Sequence, residues 1–425
     1  MARFHPRPSK DANWRTEDWT ITGMIGAIRQ RLNRRGTIGG MEHIAADEFG
    51  TATEREELVA ELRQRISRDG PITFREFMAA ALYHPRWGYY TCDPAVTSRA
   101  GDYVTSPEAS PLFGAMIGRQ LLELWHSLDR PARFDVIEHG AGRGILARDI
   151  IAWARRREPA FAAVLRYAIV EPIARLAATQ RETLVSAGLD GAVSWDPPEH
   201  VCGVILSNEL LDALPVHRVL RQGNDLMEVF VAFDQRGRFV DHLAPPSTPE
   251  LRAYFDALGL LPGEGCYAEV NLDAPRWIED AAASLERGYV LTFDYGYEAP
   301  DLYAPWRRDG TLLCFYRQSA SSDPYQRVGR QDITASVDFT TLRRAGERAG
   351  LRTLGLTDQA SFLLARGIGD AIAATASTPD DMEEYFARRS AVLRLIDSAG
   401  LGRISVLLQG TDVPGADLLG FTGAP

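Results

Sequence analysis

From about residue 109 onward, short apolar runs of strand length alternate with longer segments in which apolar positions recur every three or four residues. The runs at 134–138, 166–170, 203–207, 289–293, 352–356 and 404–408 predict strands, and segments 112–125, 144–157 and 173–189 predict helices. Strands that alternate with helices make a parallel sheet covered on both faces, so the fold class is α/β. Upstream, Leu58, Leu62 and Ile66 mark a helix over 53–68, with Thr53 and Glu56 spaced as a capping box and Gly70-Pro71 as its stop. A second helix follows over 72–83, with Thr73 as its N-cap. Residues 84–101, rich in Pro, Gly and aromatics, read as a long loop of the functional kind. The alternation is interrupted at 218–275, where runs at 226–233, 239–243 and 266–270 predict inserted hairpins. The chain thus divides into an N-terminal extension (1–52), a helical and loop cap region (53–130) and a sheet domain (131–425) carrying the insertion.

Composition narrows the class. With 425 residues, 45% hydrophobic and 24% charged, the chain is long enough to bury a large core. No apolar run approaches the roughly 20 residues that span a bilayer, so no membrane insertion is expected. The opening MARFHPRPSK lacks the apolar stretch of a secretory signal. Arg3, Arg7, Lys10 and Arg15 suggest a mitochondrial transit segment, but Asp11, Glu17 and Asp18 interrupt it, and the expected compartment is the cytoplasm. Cys92, Cys202, Cys266 and Cys314 stand far apart without a CxxC pair, which predicts free thiols and no metal site. A net charge of -10 argues against a nucleic-acid partner and favours a basic one.

Candidate chemistry begins where the first predicted strand ends, in FDVIEHGAGRGILARDI (134–150). Gly140, Gly142 and Gly144 are spaced G-x-G-x-G; a dinucleotide fingerprint would need a third glycine where Ile145 stands, and the Gly-Lys-Ser/Thr of a phosphate-binding loop is absent. Glu138, just ahead of the turn, would repel a pyrophosphate. It would attract the sulfonium and ammonium cations of S-adenosylmethionine, while the glycines let backbone pass close to the ligand. The next strand ends Ala-Ile-Val-Glu-Pro, placing Glu171 where a carboxylate accepts hydrogen bonds from ribose hydroxyls, a feature shared with NAD enzymes. The third strand runs into Asn208-Glu209-Leu-Leu-Asp212-Ala-Leu-Pro215. Three polar side chains after a buried strand are costly unless they meet water or a ligand. They could bind a cationic nitrogen or orient a methyl acceptor; equally, Asn208 or Ser207 could cap a helix with Glu209 in its first turn.

At this point the motifs resemble a known family, the MidA-like S-adenosylmethionine-dependent methyltransferases, whose mitochondrial members methylate an arginine of a complex I subunit during assembly. The residues that carry the resemblance are HPRWGYY (84–90), AGDYVTSPEASPLFG (100–114), EHGAGRGILARDI (138–150), VEP (170–172), NELLDALPVHR (208–218), FDYGY (293–297), GTLLCFY (310–316), GRQDITASVDF (329–339) and SFLLARGI (361–368). Together they extend from about residue 57 to 410 in consistent order. His139 departs from the family's usual apolar residue, and Arg317-Gln-Ser replaces a more basic, histidine-containing stretch.

The resemblance implies a class I methyltransferase sheet with Glu138, Gly140, Gly142, Gly144 and Glu171 on the cofactor. It also implies that Asp102, Thr105, Ser106, Pro107 and Glu108 fold over cofactor and acceptor. Read locally, Pro107 and Glu108 also suit the first turn of a helix capped by Ser106. For a guanidinium acceptor, Glu209 and Asp212 are the candidate carboxylates, with Glu108 a third and Asn208 beside them. His139 is a candidate base, although a histidine inside a cofactor turn more often stacks or caps. The expected activity is methylation of an arginine on a protein or peptide partner, such as a respiratory complex I subunit. The rivals are an O- or N-methyltransferase of a small molecule or peptide, and a non-catalytic assembly factor that retains the pocket. Residues 21–32 could pair with a second subunit in a homodimer or close over the site.

Overall fold

The structure, a computed structural model, describes residues 54–92, 104–373, 381–414 and 418–421. Its centre is a seven-stranded sheet of β1 (Phe134–His139), β2 (Leu165–Val170), β3 (Val193–Ser194), β4 (Val201–Asn208), β5 (Leu285–Asp294), β6 (Arg352–Asp358) and β7 (Ser405–Thr411). In space the strands run β3-β2-β1-β4-β5-β7-β6, and β7 alone is antiparallel to its neighbours. The chain winds outward from β1 through β2 to β3, then returns to the other side of β1 for β4 and β5. That reversal opens a crevice at the carboxyl ends of β1 and β4, where ligands of open α/β sheets collect.

The period-two alternation decides which residue faces which layer. Phe134 and Val136 of β1, Val204 and Leu206 of β4, and Tyr289, Leu291 and Phe293 of β5 pack into one core with α4 (Pro111–Ser127) and α5 (Ile145–Arg157). Ile137, Ile205, Val290 and Leu407 face the opposite layer, where α7 (Asp273–Ser284) and α8 (Phe339–Arg348) cover them through Trp277, Ile278 and Leu342. Both faces are sealed, which is why the strands read as apolar runs rather than as alternating ones.

The inserted residues form a five-stranded sheet of Ile72–Thr73, Asp225–Phe233, His217–Gln222, Tyr267–Val270 and Phe239–Ala244. It packs on α1 (Glu56–Asp69) and α2 (Phe74–Tyr83) through Leu58, Leu62, Phe74, Phe77, Val229, Val231 and Phe239. Insertion and N-terminal helices therefore share one core and make one cap. Three short strands, Leu313–Tyr316, Ser319–Ser321 and Asp332–Thr334, extend it, and the sequence pattern does not reveal them.

Three local readings change. The capping box is Thr73 with Glu76 at the start of α2, where Glu76 N donates to Thr73 Oγ1 at 3.2 Å. At α1 the N-cap is Arg55, without a side-chain cap, and Thr53 lies outside the described residues. Helix α4, grouped by sequence with the cap, buries Phe113, Met116, Ile117 and Leu121 in the sheet core instead. The extension 1–52, including 21–32, lies outside the described residues.

Candidate active site

The glycine turn leaves β1 with Gly140, Gly142 and Gly144 at φ +69°, +51° and +76°, left-handed conformations that favour glycine. Gly144 N donates to Ala141 O at 2.7 Å and Gly140 N to Val170 O at 3.3 Å, which closes the turn and ties it to the end of β2. A Cβ on Gly140 would stand 2.7 Å from Leu210 Cδ1, whereas one on Gly142 would have no atom of the described residues within 4 Å.

Glu171, at the tip of β2, accepts from Ile173 N and from Gln180 Nε2, both at 3.0 Å. Gln180 belongs to α6 (Ala174–Ser186) and is fully buried. Its Nε2 also donates to Gly142 O at 3.0 Å, while its Oε1 accepts from Trp195 Nε1 at 2.9 Å. One amide thus fixes the glycine turn relative to Glu171. Sequence reasoning misses it; the available signal is a glutamine in the stripe Leu176, Ala177, Gln180, Leu184 that α6 buries. Glu138 is 2% exposed and accepts from Tyr167 Oη at 2.8 Å. Burial pushes the carboxyls of Glu138 and Glu171 up to about 7, and in Glu138 the neighbouring Glu171 adds to the rise.

His139 points to the other face. Its Nδ1 accepts from Trp277 Nε1 at 3.0 Å, with the two rings edge to face, and burial lowers its pKa to about 4. The ring is neutral at pH 7 and its Nδ1 lone pair is engaged, so it braces α7 against β1 and is no general base.

Beyond β4 no helix follows, so the helix-cap reading of Asn208 or Ser207 is corrected. The chain instead turns sharply, with Glu209 at φ +51°, an uncommon conformation for a side chain of this kind. Glu209 Oε1 accepts from Asn208 Nδ2 at 2.9 Å and from Ser106 N at 3.1 Å. Ser106 opens α3 (Ser106–Ala109), whose N-cap is Thr105 rather than Ser106, and its hydroxyl donates to Gln359 Oε1 at 2.8 Å. Pro107 is buried in the same turn. Glu108 accepts from Thr105 N at 3.4 Å and lies 3.8 Å from Arg143 Nη1 of the glycine turn, with burial raising its pKa. Sites 103 residues apart in sequence therefore meet at Glu209. Asp102 lies outside the described residues.

The site is strongly acidic. Asp212 is buried, and burial together with the charges of Asp294, Glu209 and Asp332 raises its pKa well above the usual carboxylate range. Burial likewise holds Glu209 and Asp294 at about 7; Asp294 and Glu108 push Glu209 further up. Asn208 Oδ1 is buried without a hydrogen-bond partner among the described residues. A cluster of neighbouring carboxyls with an orphan acceptor favours a cation that also donates hydrogen bonds. The left-handed glycine turn, with an acid at the end of each adjoining strand, suits a cationic, phosphate-free cofactor.

Comparison with known proteins agrees. Residues 116–357 match the profile of a family of S-adenosyl-L-methionine-dependent methyltransferases. A Drosophila melanogaster protein named protein arginine methyltransferase NDUFAF7 homolog, mitochondrial, is 30% identical over 337 residues, covering 72% of this chain and 74% of its own. The Homo sapiens protein arginine methyltransferase NDUFAF7, mitochondrial, is 29% identical and covers 73% of each. A crystal structure from Burkholderia thailandensis, bound to S-adenosyl-homocysteine, has 36% identity and a TM-score of 0.79, covering 87% of this chain and 95% of that one. The cytoplasmic expectation does not stand, because these curated relatives are named as mitochondrial proteins. With a matching profile over more than half its length, a glycine turn of the right form and the same fold, the chain belongs to the MidA-like family of S-adenosylmethionine-dependent methyltransferases.

Proposed function

We propose that this enzyme methylates a guanidinium nitrogen of an arginine side chain on a protein partner. The observation that carries the reading is the acidic cluster made by the turn after β4 and the end of β5, where Asp212 and Asp294 are buried beside the half-buried Glu209 and the charge of Asp294 raises the pKa of the other two. Relatives named as protein arginine methyltransferases support a protein substrate, and the family resemblance suggests a respiratory complex I subunit.

S-adenosylmethionine supplies a methyl group already activated by its sulfonium, so the protein's work is alignment, exclusion of water and handling of one proton. Gly140, Gly142 and Gly144 bring backbone against the cofactor, Glu171 takes the ribose hydroxyls, and Glu138 supplies negative charge beneath the turn. Thr105, Ser106 and Pro107 close over it. Glu209 and Asp212 hold the planar guanidinium, and Asn208 Oδ1 accepts one of its N–H groups. A bound guanidinium stabilises the ionised carboxylates. Methyl transfer releases a proton from the attacked nitrogen, and Glu209 is the carboxylate we assign to accept it. Glu108, 3.8 Å from Arg143 of the glycine turn, is the third candidate carboxylate for the guanidinium.

The test is incubation with methyl-labelled S-adenosylmethionine and mitochondrial or bacterial protein extract, followed by acid hydrolysis and amino-acid analysis. Label in methylarginine is the expected result. Label in a small-molecule fraction, or in base-labile esters, would overturn the acceptor assignment, and no transfer at all would favour a non-catalytic role.

A further inference from the structure

We infer that Asp294 is a positioning residue for methyl transfer, acting by holding the turn that presents Glu209. The inference rests on the proposed role of Glu209. The turn 208–214 contains a left-handed Glu209 and is not part of any helix or strand beyond Asn208, so its shape must be imposed by its partners. Those partners engage three of its N–H groups and three of its carbonyls. Glu209 N donates to Phe293 O at 2.8 Å. Leu210 N and Leu211 N both donate to Asp294 Oδ2, at 3.1 and 2.7 Å. Leu211 O accepts from Asn271 Nδ2 at 3.0 Å, Asp212 O from Ala335 N at 2.9 Å and Ala213 O from Tyr83 Oη at 2.9 Å.

Of these anchors, Asp294 is the only side chain that collects two consecutive amides of the turn. It is fully buried, and its second oxygen, Oδ1, accepts from Tyr295 N at 2.9 Å. The carboxylate therefore sits in a nest of three N–H groups at the carboxyl end of β5, one strand away from Glu209. An asparagine cannot reproduce this. Whichever way its amide is turned, an NH2 group faces either Tyr295 N or the Leu210–Leu211 pair, donor against donor. The turn then relaxes away from φ +51° at Glu209, and the bonds of Glu209 Oε1 to Ser106 N and Asn208 Nδ2 loosen with it. Among the described residues the Asp294 carboxylate bonds to Leu210 N, Leu211 N and Tyr295 N, none of them in the glycine turn, so cofactor affinity should be spared.

The experiment compares Asp294→Asn, Glu209→Gln and the double variant in the full-length protein. Readouts are S-adenosylmethionine affinity by calorimetry, single-turnover methyl transfer, and amide hydrogen exchange over a peptide spanning 208–214. Asp294→Asn is expected to speed exchange in that peptide and to slow transfer about tenfold or more, with cofactor affinity within about twofold of the parent. Adding it to Glu209→Gln should cost little more, since both remove the same function. Exchange that stays at the parent level, transfer that stays at the parent rate, or fully multiplicative losses in the double variant would each overturn the assignment. If Glu209→Gln alone transfers at the parent rate, the proposed role of Glu209 fails and the Asp294 assignment falls with it; if Glu209→Gln slows transfer and Asp294→Asn does not, the Asp294 assignment alone fails. Should Asp294→Asn not fold, Asn271→Ala, which frees Leu211 O of the same turn, gives a second route to the same readouts.

Discussion

Replacing Gly142 by alanine separates a structural role from a ligand-facing one. The residue stands at φ +51°, so an alanine there pays left-handed strain of about 1–2 kcal/mol. Among the described residues no steric cost adds to this, because a Cβ at 142 meets none of their atoms within 4 Å. Gly259, the C-cap of Glu250–Leu258, is the matched control: φ +73° and likewise nothing within 4 Å. The two alanine variants should therefore lose similar stability in urea denaturation. Their S-adenosylmethionine affinities should diverge. If the cofactor lies over Gly142, Gly142→Ala weakens binding at least tenfold, about 1.4 kcal/mol or more, while Gly259→Ala leaves it unchanged. Equal affinity in the two variants would refute the placement of the cofactor over the turn.

Other consequences follow from the same geometry. Gln180→Leu strands Gly142 O, one oxygen of Glu171 and Trp195 Nε1, so it should cost about 3 kcal/mol or more in urea denaturation and weaken cofactor binding in the same variant; intact binding would deny Gln180 its bracing role. The ordinary pKa of Glu138 and Glu171 is 4.5 and burial raises both to about 7, so between these values the folded protein binds more protons than the unfolded chain. Stability of the ligand-free enzyme should fall as pH rises through that window, and its urea midpoint should be lower at pH 8 than at pH 5. Glu138→Gln should shrink that difference, and an unchanged difference would contradict the assignment of Glu138. His139→Leu leaves the indole N–H of Trp277 unpaired and should cost about 1–3 kcal/mol of stability. Because the ring is already neutral, turnover at pH 7 should stay within about threefold of the parent. A loss of several orders of magnitude would restore His139 as a catalytic base.

Much of the sheet was legible because each strand is covered on both faces. The runs at 134–138, 203–207 and 289–293 announce β1, β4 and β5, and the glycine spacing at 140–144 falls at the end of the strand that begins the winding. What was not legible depends on partners distant in sequence. Glu209 meets Ser106 across 103 residues, and Leu210 and Leu211 meet Asp294 across 84 and 83. No local pattern distinguishes Asp294 from any acid at a strand end. Gln180 is similar, since its value comes from touching Gly142, Glu171 and Trp195 at once. The turn after β4 was ambiguous for another reason: Asn208 and Glu209 suit a helix start equally well, and only the nest around Asp294 and the anchors at 271, 335 and 83 select the left-handed alternative. His139 was misleading as a candidate base because its burial and its partner Trp277, 138 residues away, are tertiary facts.

The central claim is that carboxylates after β4, not the cofactor turn, orient the acceptor. Glu209→Gln tests it most directly, since the amide keeps the shape and can still accept from Ser106 N while losing the charge. Calorimetry and single-turnover transfer on the same preparation should give S-adenosylmethionine affinity within about twofold of the parent and transfer slowed by about tenfold or more, roughly 1.4 kcal/mol of barrier. Transfer at the parent rate would contradict the account.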